Sequence, residues 1–445
     1  MENEGLGELN VKIVDRCLVP PCMPSPQDTL YLSNLDNQPV VRLVFNTLLV
    51  YEGCENKLAE PAKTIREALS KVLVYYYPLG GRLRKKEDGK LQLECTGEGV
   101  LFVEAMVDNS LSVLRDLEYL KPSFKQLLYT FPFSTDVEEL HPMVIQVNHF
   151  TCGGFVVAVT FHHSVCDGRG LGQFLKGLGE MARGDAMPSV KPIWDRELLK
   201  PSKLLVHDLD LIEEKRGSTS DSWPPPISKE SIQISLSLES KAIKCMKQVI
   251  MQECGEICTT FEIVTALVWR ARTKALEIPY IQSMDVLFAV DGRESLNPPL
   301  PNGYYGNGFG VACAKATIHE LMNQPLSYIV SIIKKAKMSI TDKYLKSMID
   351  EDQFTGDVSS NQGNILLSDW RWLGFNEVDF GSGWPVDVCT MQWNENGLNL
   401  SNGFIFLPPN RKIDEFKMIT WMDPQEFMLF KIEIEAIINK YVEKN

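Results

Sequence analysis

No stretch of this 445-residue sequence approaches the ~18 consecutive apolar residues that a membrane helix requires, so a membrane span is not expected. Basic charge is also short: 45 Lys and Arg face 58 Asp and Glu, a formal net charge of −13. So acidic a surface repels phosphate backbones and anionic lipid. Nucleic acid and membrane are therefore excluded as default partners, and a polyanionic small ligand would need a local basic pocket. CxxC pairs are absent, and the eleven cysteines are odd in number and scattered. Free thiols in a reducing compartment explain this better than a disulfide framework. The opening MENEGLGELNVKIVD lacks the basic start and apolar block of a secretory signal, and the closing VEKN matches no peroxisomal or reticular retention signal. The expected location is the cytoplasm. The triplet Asn399-Leu400-Ser401 fits a glycosylation site, but without a secretory route it is a chance match. No repeat with a period of roughly 20–50 residues occurs, which excludes solenoids and propellers.

What is present is an ordinary globular composition, 44% hydrophobic and 23% charged, long enough for two or three domains. A chain of this size buries a core without disulfides or a structural metal. Glu60–Leu73 has helical spacing, with Ile65, Leu69 and Val72 on one face. Lys90–Glu94 and Leu101–Glu104 read as short strands around Thr96-Gly97-Glu98-Gly99. Met143–Val147 and Phe155–Phe161 read as strands of a hairpin turning at Cys152-Gly153-Gly154, and Gly170–Ala182 as a helix closed by Gly184. Between about Pro201 and Ser228 the composition shifts, and three consecutive prolines exclude a helix or central strand. Beyond it follow a strand (Ser231–Leu238), a helix (Glu239–Gln252) and a second helix whose core stripe runs from Phe261 to Ala271. The expected organisation is two α/β lobes of similar size, residues 1–195 and 229–445, joined by a crossover over 196–228, with a cleft between them.

The most informative run is Phe161-His162-His163-Ser164-Val165-Cys166-Asp167-Gly168. An apolar strand delivers two histidines to its C-terminal end, an Asp-Gly turn follows, and a helix begins. Adjacent strand residues face opposite ways, so His162 and His163 cannot share one role. One supports the core, and the other reaches a site. His163 and Asp167 form an H-x-x-x-D spacing in which the carboxylate can return across the turn and orient the loop. A neutral imidazole held there is suited to taking a proton from an attacking hydroxyl or amine. Three other readings compete: a hydrogen-bonded core pair, a zinc site and a nucleophilic Cys166. Zinc needs three or four ligands, and adjacent histidines face apart, so no metal is expected. No base flanks Cys166, and apolar Val165 beside it favours an inert thiol.

A second run, Asp379-Phe380-Gly381-Ser382-Gly383-Trp384-Pro385, reads by itself as a structural turn fixed by two glycines and a proline. Its first three letters match a kinase motif, but the Gly-rich loop, VAIK lysine and HRD run are missing. The third run begins Asp291-Gly292-Arg293 and continues through NPPLPNGYYGN. Arg293 is a fixed cation able to pair with a carboxylate such as Asp167. The glycines from Gly306 to Gly310 lack the strand–helix context of a dinucleotide site. Lys334, Lys335 and Lys337 are the candidates for holding the phosphates of a nucleotide, with a solvated helix face as the alternative.

HHSVCDG and DFGSGWP, in this order and about 215 residues apart, resemble the signatures of the plant BAHD acyltransferases. The resemblance spans essentially the whole chain and includes LSNLDN, YYPLGGRL, QVNHFTCGG and NPPLPNGYYGN. IREALSKVLVYYYPLGGRLR, ECTGEGVLFVEAM, PIWDRELLKP and NKYV are most similar to the taxane acyltransferases of yew. The resemblance implies transfer of an acyl group, acetyl or an aroyl such as benzoyl, from acyl-CoA to a hydroxyl of a specialised plant metabolite such as a taxane diterpenoid. Simpler alcohols and amines are the alternative acceptors, and a non-catalytic binding homologue is the alternative of another class. Peptide-forming condensation domains share HHxxxDG but not the other blocks.

The resemblance also implies a fold of two chloramphenicol acetyltransferase-like lobes with a solvent channel, in a monomer that holds no permanent cofactor. His163 becomes the general base, in a ternary complex without an acyl-enzyme. Asp167 points away from substrate and holds its loop through a salt bridge to Arg293, with Gly168 opening the helix. Asp379 is grouped with the active site although its loop lies far from the acyl centre, supported by Gly381 and Gly383. The sequence departs from the family's DFGWG at Ser382, with Trp384 two residues on. An oxyanion or tunnel role for either is the expectation to test.

Overall fold

The computed structural model describes residues 9–53, 60–114, 122–129, 140–201, 231–276, 282–350, 364–391, 402–410 and 414–443. Most of the proline-rich crossover, and the Asn399 triplet, lie outside the described residues. Two six-stranded sheets dominate. The first runs, in spatial order, Val11–Val19, Val100–Val107, Met143–Phe150, Phe155–His162, Val44–Tyr51 and Asp387–Cys389. The second runs Phe309–Thr317, Ser283–Asp291, Ile365–Asp369, Gly403–Phe406, Glu415–Met422 and Ile232–Glu239. Both are mixed sheets, parallel at interior pairs and antiparallel elsewhere. One buried apolar cluster underlies each sheet, giving the two α/β lobes read from the sequence. Among the described residues, no helix is long and apolar enough to cross a membrane.

Local chemistry explains the elements. Pro61 sits in the first turn of the helix Pro61–Val72, where its missing N–H costs nothing, and Ile65, Leu69 and Val72 are fully buried. The hairpin strands carry near-continuous apolar runs and are buried on both faces, because the helices cover one side of the sheet. Thr259 and Glu262 form a capping box that opens the helix Thr260–Ala275. The strands Leu91–Glu94 and Val100–Val107 both form but belong to different sheets: Leu93 pairs with Leu83, whereas Val103 pairs with Arg16 and Gln146.

The helix Gly168–Ala182 positions the site. It starts two residues before the expected Gly170, because Asp167 caps it and its carboxylate accepts the Gly170 N–H at 2.8 Å. One face of this helix is built of glycine. A side chain at Gly172 would meet the Leu373 carbonyl at 1.8 Å, and one at Gly179 would meet the Asp379 carbonyl at 2.7 Å. The segment from Trp370 to Phe380, from the second half of the chain, therefore lies backbone-close along this helix and joins the first lobe's core. Asp387–Cys389 continues that excursion by pairing with Leu48–Val50 at the sheet's edge.

Candidate active site

The strand Phe155–His162 ends where His162 pairs with Val44, and the His163 N–H extends the ladder by donating to the Leu43 carbonyl at 2.9 Å. Strand alternation then separates the two rings. His162 is buried; its Nδ1 accepts from the Ser164 N–H at 3.3 Å, and burial, with smaller contributions from His163 and Arg42, pushes its pKa down to about 3. It is a neutral core support. His163 is partly exposed and framed by the rings of Phe45, Phe161 and Phe309 at 5.2, 6.0 and 6.0 Å. Phe309 belongs to the second sheet, so the imidazole stands where the two lobes meet. Beyond Phe309 lies a small apolar pocket lined also by Leu35, Val40, Val41 and Met348.

Burial holds the His163 pKa below the ordinary histidine value. The charges of Asp167 and Asp36, its own carbonyl and Asn307 all oppose that shift by favouring the proton. Its Nδ1 is buried without a hydrogen-bond partner among the described residues. The arrangement keeps the ring neutral near pH 7 while carboxylates stand by to stabilise it once protonated. That combination suits a group that takes up a proton and gives it back. Cys166 has neither property: it is buried, and burial pushes its thiol pKa far above the usual range.

Asp167 holds the turn that follows the imidazole. Its carboxylate accepts from the Gly170 N–H, from Arg293 Nη2 at 2.9 Å and from the Gly308 N–H at 3.1 Å. Arg293 in turn donates to the Gly306 carbonyl at 2.7 Å and to Asp291 at 3.1 Å, and Asp291 pairs with Arg169 on the site helix. The ion-pair chain thus leaves the start of the helix, crosses to the NGYYGN segment and returns. Gly168 occupies the helix's first turn, where a side chain would strike Leu373.

A second constellation carries no role in the sequence reading. Asp36, of LSNLDN, is fully buried and accepts from the backbone and side chain of Asn307 at 3.2 and 2.8 Å. Asn307 also donates to the His163 carbonyl at 2.9 Å. Arg196 is ion-paired with Asp36 at 3.3 Å. The Ser33-x-x-Asp36 spacing signals a capping box, which is present, but nothing local announces that the other carboxylate oxygen reaches a residue 271 positions away.

The DFGSGWP turn lies elsewhere. Asp379 Oδ1 accepts the N–H groups of Gly381 and Gly383 at 2.7 and 2.8 Å, closing a turn in which both glycines have positive φ, 105° and 94°. The Tyr51 hydroxyl donates to the Val378 carbonyl and Arg183 to the Asp379 carbonyl, at 2.9 and 2.6 Å. Gly179, which Asp379 covers, is eleven residues along the helix from Gly168, a rise of about 16 Å. That separation sets the Asp379 turn at the far end of the helix from Gly168. Ser382 Oγ is buried without a partner among the described residues, and Trp384 is exposed. The lysine cluster is also largely committed: Lys334 pairs with Glu256 at 2.6 Å and Lys337 with Glu262 at 3.0 Å, leaving Lys335 exposed on the same helix.

A family model described as Transferase family matches residues 9–437. The chain is 49% identical to 3'-N-debenzoyl-2'-deoxytaxol N-benzoyltransferase of Taxus canadensis, over 100% of both chains. It is 44% identical to taxadien-5-alpha-ol O-acetyltransferase of Taxus cuspidata, over 98% of this chain and 99% of that one. Among solved structures it resembles vinorine synthase, with a TM-score of 0.73 at 21% identity over 96% of this chain and 98% of that one. It also resembles TRI101 of F. sporotrichioides complexed with coenzyme A and T-2, with a TM-score of 0.70 at 17% identity, over 89% and 95% of the two chains.

Proposed function

Because the chain belongs to the Transferase family, the BAHD acyltransferases, we propose that His163 is the general base of its acyl transfer. The protein is an acyl-CoA-dependent acyltransferase acting on taxane-like metabolites. Acyl-CoA and acceptor are bound together. The acceptor oxygen attacks the thioester carbonyl while His163 takes its proton. The tetrahedral intermediate then collapses, the C–S bond breaks, and the imidazolium returns the proton to the departing thiolate. Holding both substrates beside one base makes the attack effectively unimolecular. The observation that carries the reading is a neutral, partly exposed imidazole at the lobe junction, on a turn pinned by the Asp167–Arg293 pair.

Asp167 and Arg293 are then positioning residues, and Asp379 holds its own turn rather than a substrate. A hydroxyl acceptor with acetyl or benzoyl donor is the first choice, and the N-benzoyltransferase relative makes an amine the second. The reading includes a cytosolic monomer without a permanently bound cofactor. Incubation with acetyl- and benzoyl-CoA against taxane alcohols and a taxane side-chain amine, read by mass spectrometry, tests it. Ester product supports the first choice and amide the second. The His163→Ala variant decides the mechanism: a chain so changed that keeps full turnover would remove the general base.

A further inference from the structure

We infer that Arg196, at the start of the crossover and outside the His163–Asp167 machinery, is a positioning residue that fixes the peptide carbonyls on both sides of the reacting histidine's turn. The inference rests on the proposed role of His163. Arg196 is fully buried. Its Nη2 donates to the Val165 carbonyl at 2.5 Å and its Nη1 to the Trp194 carbonyl at 2.8 Å. Its Nε faces Asp36 at 3.3 Å, and Asp36 holds the Asn307 that donates to the His163 carbonyl. One guanidinium thus governs carbonyl 165 directly and carbonyl 163 through two intermediaries. The rings of Trp194, Tyr304 and Tyr305 enclose it, with centroids 3.8, 5.1 and 5.2 Å from Cζ.

The chemistry favours a specific task over bulk stability. Desolvating an arginine is expensive, and apolar side chains of similar volume would fill an aromatic box with no such penalty. What an apolar filling cannot supply is a rigid fork of donors aimed at chosen carbonyls. Carbonyl 163 belongs to the peptide that leaves the His163 Cα and carbonyl 165 to the far end of the same turn, so holding both restrains the turn that carries the imidazole, and a reacting group displaced by about 1 Å can lose ~10²-fold in rate.

Charge offers a second readout. The titratable and polar groups facing His163 are Asp167 and Asp36, the His162 ring and Asn307. Arg293 and Arg196 neutralise the two carboxylates, and Arg42 faces His162. Removing the Arg196 charge leaves Asp36 uncompensated, which favours the imidazolium.

The test compares wild type, Arg196→Lys, Arg196→Gln and His163→Ala, using acetyl-CoA and a taxane alcohol across pH 5–8, with melting temperature followed in parallel. Arg196→Lys keeps the charge but loses the fork. It is expected to fold, to keep KM for acetyl-CoA within about twofold, and to lose kcat by about tenfold or more. Arg196→Gln is expected to move the acid limb of kcat/KM upward as well, while Arg196→Lys leaves it in place. If Arg196→Gln does not fold, the kcat and KM of Arg196→Lys decide the matter. A folded Arg196→Lys enzyme with kcat within twofold of wild type overturns the proposal. So does an Arg196→Lys chain that cannot fold, since the residue is then a requirement of the fold. An inactive wild type, or an active His163→Ala, would instead sink the general-base reading.

Discussion

His163 and His162 differ by one position along a strand, and that single step assigns one ring to the lobe junction and the other to the core. His163→Ala should lower kcat by ~10²–10⁴ with the melting temperature little changed, measured by thiol release and thermal unfolding. Because the His163 pKa is depressed, its base form persists as pH falls below the ordinary value of about 6.5. The acid limb of kcat/KM should therefore have its midpoint below pH 6.5, and a midpoint above it would contradict the depressed value. Asp167→Asn removes the buried member of the Arg293 pairings and leaves that guanidinium to the more exposed Asp291, a change expected to lower unfolding stability by about 2 kcal/mol in urea titrations. At this scale the sequence was legible wherever chemistry is local. The H-x-x-x-D-G turn could be read from residue type and spacing, whereas the pairing of Asp167 with Arg293, 126 residues on, rested on the family resemblance. Asp36, Asn307 and Arg196 could not be read, because each is defined by partners far along the chain. The ion pairs of Lys334 and Lys337 are likewise distant: Glu256 and Glu262 meet them from other segments, and no local pattern marks them as neighbours.

The helices Pro61–Val72 and Gly168–Ala182 and the strand Phe155–His162 followed their apolar periods to within one or two residues, since burial of one face fixes both type and register, while Met143–Phe150 runs three residues past the expected Val147. The site helix began early because a capping carboxylate outranks the first apolar residue as a start signal. What the period does not encode is which strand neighbours which. The pairing of Val100–Val107 with Met143–Phe150 and the docking of Trp370–Phe380 on a glycine face are tertiary choices. The glycine face yields its own test. Gly172→Ala would place a methyl 1.8 Å from the Leu373 carbonyl, a backbone atom with little freedom to retreat. The expected cost is about 1–3 kcal/mol, seen as a lower urea midpoint, with turnover falling if the displaced segment drags the start of the helix.

For the molecule as a whole, two lobes were legible in the alternation of α and β segments, whereas their exchange of material was not. Gln233 donates to the Thr390 carbonyl at 2.7 Å, and Lys417 pairs with Asp387 at 2.7 Å, tying the second sheet to the edge strand that its own half lends to the first. Acid should loosen the whole. His162 stays neutral in the fold down to about pH 3 but takes a proton in the unfolded chain below about 6.5. Its contribution to stability is thus intact above pH 6.5 and declines as pH falls, by about 2 kcal/mol at pH 5. A melting temperature that stayed level between pH 7 and pH 5 would count against a neutral buried ring. The borrowed strand Asp387–Cys389 also has a consequence for biosynthesis. At ~5–20 residues per second, the ribosome needs on the order of ten seconds or more after finishing His163 before that strand emerges. Throughout that interval the nascent chain carries an unfinished sheet whose open margin, Leu48–Val50, is a natural ward for chaperones.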